Sequence, residues 1–153
     1  MNIIFLDVDG VLNSIRGLKD TYAITRRPYS GYDYPFDIRC MYNLKHLVEE
    51  TNSYLVITST WRMHEIGKSI LLNELKKYGL DTRVIGYTNV LHTSRSEEIK
   101  DYLSKLDVNV NYIILDDDND FEELEEYLIK TSFETGLTSE NVDLGIKKML
   151  KKL

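Results

Sequence analysis

The chain has 153 residues, of which 42% are hydrophobic and 29% charged, the balance of one folded globular domain rather than of a disordered, collagenous or repeat chain. Nineteen lysines and arginines against 25 acids leave a net charge of −6, which argues against a protein that coats nucleic acid, because that task neutralises many phosphates. Cys40 is the single cysteine, so neither an intrachain disulfide nor a cysteine-based zinc site is available, as suits a cytoplasmic protein in a reducing compartment.

In chain order, residues 2–8 form an apolar run that stops at Asp9-Gly10, as a strand buried on both faces would. Its apolar stretch, residues 3–6, is too short for a signal peptide or a membrane span. Residues 14–36 fit neither the helical nor the strand period. They hold Arg16, Lys19, Arg26 and Arg27 against Asp20 and Asp33, together with Tyr22, Tyr29, Tyr32, Tyr34 and both prolines. A connection of this length reads as a functional flap over a site.

Residues 37–50 predict a helix with Met41, Leu44, Leu47 and Val48 on one stripe, Asp37 as N-cap, and Phe36 and Met41 placed as a hydrophobic staple. Residues 54–58 predict a second strand. A helix over 61–78 follows, with Ile66, Ile70, Leu71 and Leu75 inward and a stop at Gly79. A weaker strand over 83–87 leads to a helix over 96–106, and a strand over 112–115 to a short acidic helix over 121–127. A fifth strand lies within 128–133. The last helix, about 139–153, turns Val142, Ile146, Met149, Leu150 and Leu153 inward. Alternating strands and helices imply parallel strands with right-handed crossovers, hence an α/β doubly wound sheet of about five strands.

Ligands of such sheets bind at the carboxyl ends of the strands, so those ends are where chemistry belongs. The first strand ends in Asp7-Val8-Asp9-Gly10, and two carboxylates two residues apart on an extended chain face the same way. Their repulsion calls for a divalent cation or a shared proton. The second strand ends in Thr58-Ser59, which offers two hydroxyls to phosphate oxygens. The fourth ends in Asp116-Asp117-Asp118, with Asp120 following, and Arg95 precedes a helix between these points. Each has a plainer reading alone: a turn, a helix cap, an acidic surface, an exposed arginine. Together they are the parts needed to attack, hold and neutralise a phosphoryl group. Hard oxygen ligands suit Mg2+, and no histidine or cysteine cluster offers a zinc site.

The strings DVDGVLN, VITS, Arg95 and ILDDD resemble the four motifs of the haloacid dehalogenase (HAD) superfamily of phosphatases, and STWR, RSEEIKDYL and ETGLT resemble the HAD domain of Swiss Army Knife RNA repair proteins. The resemblance implies that Asp7 is the nucleophile that forms an aspartyl-phosphate and that Asp9 is the general acid and then the base. It implies that Thr58, helped by Ser59, binds the phosphoryl group and that Arg95 stabilises its charge. Asp7, the backbone carbonyl of Asp9, Asp116 and either Asp117 or Asp120 would hold Mg2+.

Cap domains of this superfamily enter after the first motif or after the third strand. Here those points have 23 residues (14–36) and seven (88–94), too few for a folded cap. An open site suits macromolecular phosphate ends, or needs a partner subunit to close over small substrates. Arg26, Arg27 and the flap tyrosines suit a single-stranded RNA or DNA end, or they pack onto the domain. Arg62 is a further candidate for substrate contact, and Trp61 reads as a packing anchor. The expectation is a Mg2+-dependent phosphomonoesterase acting on nucleic-acid ends or nucleotides. The alternatives are a small-metabolite phosphatase closed by oligomerisation and a non-catalytic metal-binding regulatory domain.

Overall fold

In the computed structural model, which describes residues 1–151, the strands are β1 (Asn2–Leu6), β2 (Ser53–Ile57), β3 (Val84–Tyr87), β4 (Asn111–Asp116) and β5 (Leu128–Lys130). The helices are α1 (Ile15–Thr25), α2 (Ile38–Thr51), α3 (Glu65–Lys76), α4 (Arg95–Ser104) and α5 (Ser139–Leu150). The strands form one sheet in the order β3-β2-β1-β4-β5, with every pairing parallel.

A fully apolar central strand has no solvent face, so both sides of the sheet must be covered. Alternate β1 side chains meet different layers. Ile4 and Leu6 pack with Leu55, Ile57, Ile113 and Leu115 against the Leu44, Leu47, Leu71, Leu75, Val142 and Met149 side chains of α2, α3 and α5. Ile3 and Phe5 pack with Val56 and Ile114 against Ile99 of α4 and against Phe121 and Leu124. This is the doubly wound α/β fold expected, without a cap. The chain builds outward from β1 to β3, then crosses to β4 and β5, so the order reverses beside the carboxyl ends of β1 and β4. Among the described residues no helix is long and apolar enough to cross a membrane.

The largest departure from the sequence reading lies in residues 14–36. The expected flap contains a helix, α1, capped at one end by Ser14, whose hydroxyl accepts from the Gly17 N–H. At the other end it stops at Arg26 in the left-handed region. Gly17 is its one buried residue and Ile24 is 84% exposed, so α1 lies on the surface of the domain and buries little apolar side chain. Residues 31–33 add a single 3-10 turn.

Smaller differences follow from local geometry. Residues 60–63 form a 3-10 turn, so α3 starts at Glu65 rather than at 61 and Ile66 faces solvent. The acidic stretch 122–127 is 3-10 rather than α, and β5 stops at Lys130. Leu150 is partly exposed at the end of α5. Leu153, expected inward, lies outside the described residues.

Candidate active site

The strand register assembles the site. Leu6 of β1 is level with Ile57 of β2 and with Leu115 of β4. The next residues, Asp7, Thr58 and Asp116, therefore stand side by side at the carboxyl edge. Backbone bonds from the Thr58 N–H to the Leu6 carbonyl (2.9 Å) and from the Asp7 N–H to the Leu115 carbonyl (3.1 Å) hold them there.

Arg95, the first residue of α4, reaches across this edge. One guanidinium nitrogen lies 3.0 Å from Asp7 Oδ2 and 2.6 Å from Asp116 Oδ2. Carboxylate oxygens of Asp7, Asp116 and Asp117 lie within 4.8 Å of one another. Burial, followed by the Asp116 charge, pushes the Asp7 carboxyl up to about 7, against the pull of Arg95. The same two causes raise Asp117. Burial opposes the Arg95 charge, but the two carboxylates outweigh it and hold Arg95 above the usual arginine range. Three crowded carboxylates and one cation still leave excess negative charge, and hard oxygen donors of this kind fit Mg2+.

Gly10 lets Asp117 join the group. It adopts φ +81°, and a methyl group there would collide with the Asp117 carboxylate. Asp120 is not part of this cluster. It lines the same cavity of about 310 Å3, but its backbone N–H is turned onto Asp118 Oδ1 (3.2 Å).

The hydroxyls of Thr58 and Ser59 separate in function. Ser59 Oγ accepts from the Trp61 N–H (3.1 Å) and caps the 3-10 turn. Thr58 Oγ1 is buried without a hydrogen-bond partner among the described residues. Buried polar atoms are almost always partnered, so an orphan at the end of a strand marks a place for a ligand oxygen.

Asp9 is held by two side chains. Asn13 Nδ2 donates to its Oδ1 (2.8 Å), and Trp61 Nε1 donates to the same oxygen (3.3 Å). Asn13 Oδ1 in turn accepts from the Gly10 N–H (2.9 Å), which ties the Asp9 carboxylate to the turn that follows β1. Sequence reasoning had Trp61 as packing alone. Packing it does, edge-on to Tyr32 and Phe36, but its indole N–H also aims at Asp9. No spacing signal announces that bond.

Two groups of sequence candidates stand apart from the carboxylate cluster. Arg62 is buried, with its guanidinium turned onto protein acceptors. Its guanidinium donates to the carbonyls of Thr58 (2.8 Å), Ser59 (3.0 Å) and Thr88 (2.8 Å) and to Glu98 Oε1 (3.0 Å). It braces the ends of β2 and β3 against α4, because these acceptors and the Asn89 carbonyl surround it once the fold closes. Arg26 and Arg27 are also not brought to the carboxylates. The 11 residues of α1 carry the chain about 16 Å from its start. Arg27 stacks over the Tyr29 ring (4.5 Å), and Arg26 borders a separate hollow with Tyr22 and Tyr29. Tyr32 and Tyr34, after the α1 turn, are the flap tyrosines that return to Asp9. With Trp61 and Phe133 they wall a hollow of about 480 Å3 that Asp9 also lines.

Residues 3–142 match the family described as the HAD domain in Swiss Army Knife RNA repair proteins. Searches among curated proteins and among solved structures found no match. The strand order, the acidic carboxyl edge and a family match that spans nearly the whole chain agree: the chain belongs to the HAD domains of Swiss Army Knife RNA repair proteins.

Proposed function

We propose that the protein is a Mg2+-dependent phosphomonoesterase that works through an aspartyl-phosphate on nucleic-acid ends or nucleotide phosphates. The observation that carries this is the register of β1, β2 and β4. It sets the Asp7 carboxylate, the unpartnered Thr58 hydroxyl and the Asp116 carboxylate on adjacent strands, with Arg95 across them, which supports roles as nucleophile, phosphoryl donor and metal ligand.

Asp7 Oδ attacks phosphorus, forming one P–O bond as the bond to the leaving oxygen breaks. Asp9, oriented by Asn13 and Trp61, gives a proton to that oxygen. In the second half Asp9 takes a proton from water, and the hydroxide opens the aspartyl-phosphate, releasing inorganic phosphate and restoring Asp7. The Thr58 hydroxyl donates to a phosphoryl oxygen, and Arg95 offsets the charge that Asp7 and the phosphoryl group share. Asp7, Asp116 and Asp117, with the Asp9 carbonyl, would hold Mg2+, which when bound supplies positive charge against both the carboxylates and the phosphoryl oxygens.

The test is a substrate panel of 3′- and 5′-phosphorylated oligonucleotides, mononucleotides and sugar phosphates, run with Mg2+ and with EDTA. The expected result is Mg2+-dependent phosphate release that Asp7→Asn abolishes. Release that survives in Asp7→Asn removes the covalent route, and no release from any substrate removes the phosphatase reading.

A further inference from the structure

The hollow between Tyr32, Tyr34, Trp61 and Phe133 has no part in holding the phosphoryl group, yet it shares a wall with the carboxylate cavity. Asp9 is that wall: it borders both. On the proposed mechanism Asp9 protonates the leaving oxygen, so whatever is attached to that oxygen extends into the hollow. We infer that the hollow is the leaving-group subsite and that it takes the base and sugar of a terminal nucleoside, an inference that rests on the phosphomonoesterase reading.

Three observations define the occupant. The walls are chiefly aromatic, and among the described residues no lysine or arginine lines them. A second phosphate would face the Asp9 carboxylate with only Thr60 and His64 to receive it, whereas an uncharged base meets ring faces and edges. The volume, about 480 Å3, is in the range of small-molecule sites and far exceeds what a short alkyl phosphate fills. The rings are also set in advance. Tyr32 lies edge-on to Trp61 at 5.2 Å, Tyr34 edge-on to Phe133 at 6.0 Å, and the Tyr34 hydroxyl donates to the Ser14 carbonyl at 3.3 Å. Gly67 of α3 makes room for this arrangement, since a methyl group there would stand 2.9 Å from the Tyr32 ring. Rings already fixed lose little entropy when a base joins them.

The subsite also has a built-in reporter. Trp61 is the single tryptophan of the chain and sits in its wall. Unphosphorylated nucleosides, which need neither Asp7 nor Mg2+, are expected to change Trp61 fluorescence saturably, while ribose does not. Phe133→Ala, with Phe133→Leu as the volume-conserving control, is expected to weaken that response. It should also raise the KM of a mononucleotide by about 5-fold to 150-fold, the range that stacking one base spans, and more than it raises the KM of a small aliphatic phosphate. Free nucleotide and strand end share this chemistry. An oligonucleotide KM below that of the mononucleotide assigns the end, and equal values assign the free nucleotide.

Mononucleotide turnover with nucleoside-insensitive Trp61 fluorescence and an unchanged KM in Phe133→Ala overturns the subsite and leaves the phosphomonoesterase standing. Saturable nucleoside binding in a protein that releases no phosphate from any substrate upholds the subsite and overturns the phosphomonoesterase.

Discussion

Thr58→Val separates stability from function at a single atom. Thr58 is 1% exposed, and its hydroxyl has no hydrogen-bond partner among the described residues. Leaving such a group unsatisfied costs about 1–3 kcal/mol, while replacing it with an apolar group of the same shape removes that cost. Valine differs from threonine only in exchanging the hydroxyl for a methyl. Thr58→Val should therefore be more stable than wild type by about 1 kcal/mol, raising Tm by about 2–4 °C in a domain of this size. The same exchange deletes the donor proposed for the phosphoryl oxygens, so kcat should fall by about 100-fold to 1000-fold. Thr58→Ser should do the reverse: it keeps the hydroxyl and loses a buried methyl, at a cost of about 0.8 kcal/mol. The assays are urea unfolding in EDTA and phosphate release with Mg2+. A Thr58→Val protein less stable than wild type would show that the hydroxyl is bonded, and near-normal turnover would show that it does not touch phosphate.

The remaining predictions concern charge and position. Asp7, raised to about 7 from 3.8, binds a proton in the folded protein that the unfolded chain lacks between those values. Its contribution to metal-free stability is thus complete below about 3.8 and is lost as pH rises through about 7. The Tm measured in EDTA should fall across that window, and less steeply in Asp7→Asn; parallel slopes would refute the assignment. Arg62→Met leaves Glu98 buried without its cation and should cost about 3–5 kcal/mol in urea unfolding, whereas Arg62→Met with Glu98→Met should recover part of that loss. A double variant no better than the single one would mean that the bonds to strand-end carbonyls, not the ion pair, set the cost. Arg26→Ala with Arg27→Ala should leave the KM of a mononucleotide at its wild-type value, because neither lines the two cavities that Asp9 borders. A raised KM in steady-state assays would place them at the site after all.

What sequence alone determined is whatever local pattern encodes. The apolar runs of β1, β2 and β4 and the residues that close them, Asp7, Thr58 and Asp116, were legible because a doubly buried strand cannot carry a charge until it emerges. The inward stripe of α2 and its Asp37 cap were legible for the same reason: periodicity and capping are properties of neighbours in the chain. Helix α1 was not, since it lies within a stretch whose charges, tyrosines and prolines read as a loop, and the fold buries only its Gly17. Nor were the roles of Arg62, Trp61, Asn13 and the aromatic hollow. An arginine three residues past a strand-end serine reads as a candidate for substrate contact until Thr88 and Glu98, 26 and 36 residues away in the chain, take its donors. Likewise the Trp61 indole finds Asp9 across 52 residues, and Phe133 meets Tyr34 only after β5 has crossed the sheet. Hydrogen bonds and ring contacts are decided by which donors, acceptors and faces remain unmatched when the layers close, and that is a property of the assembled fold rather than of any segment.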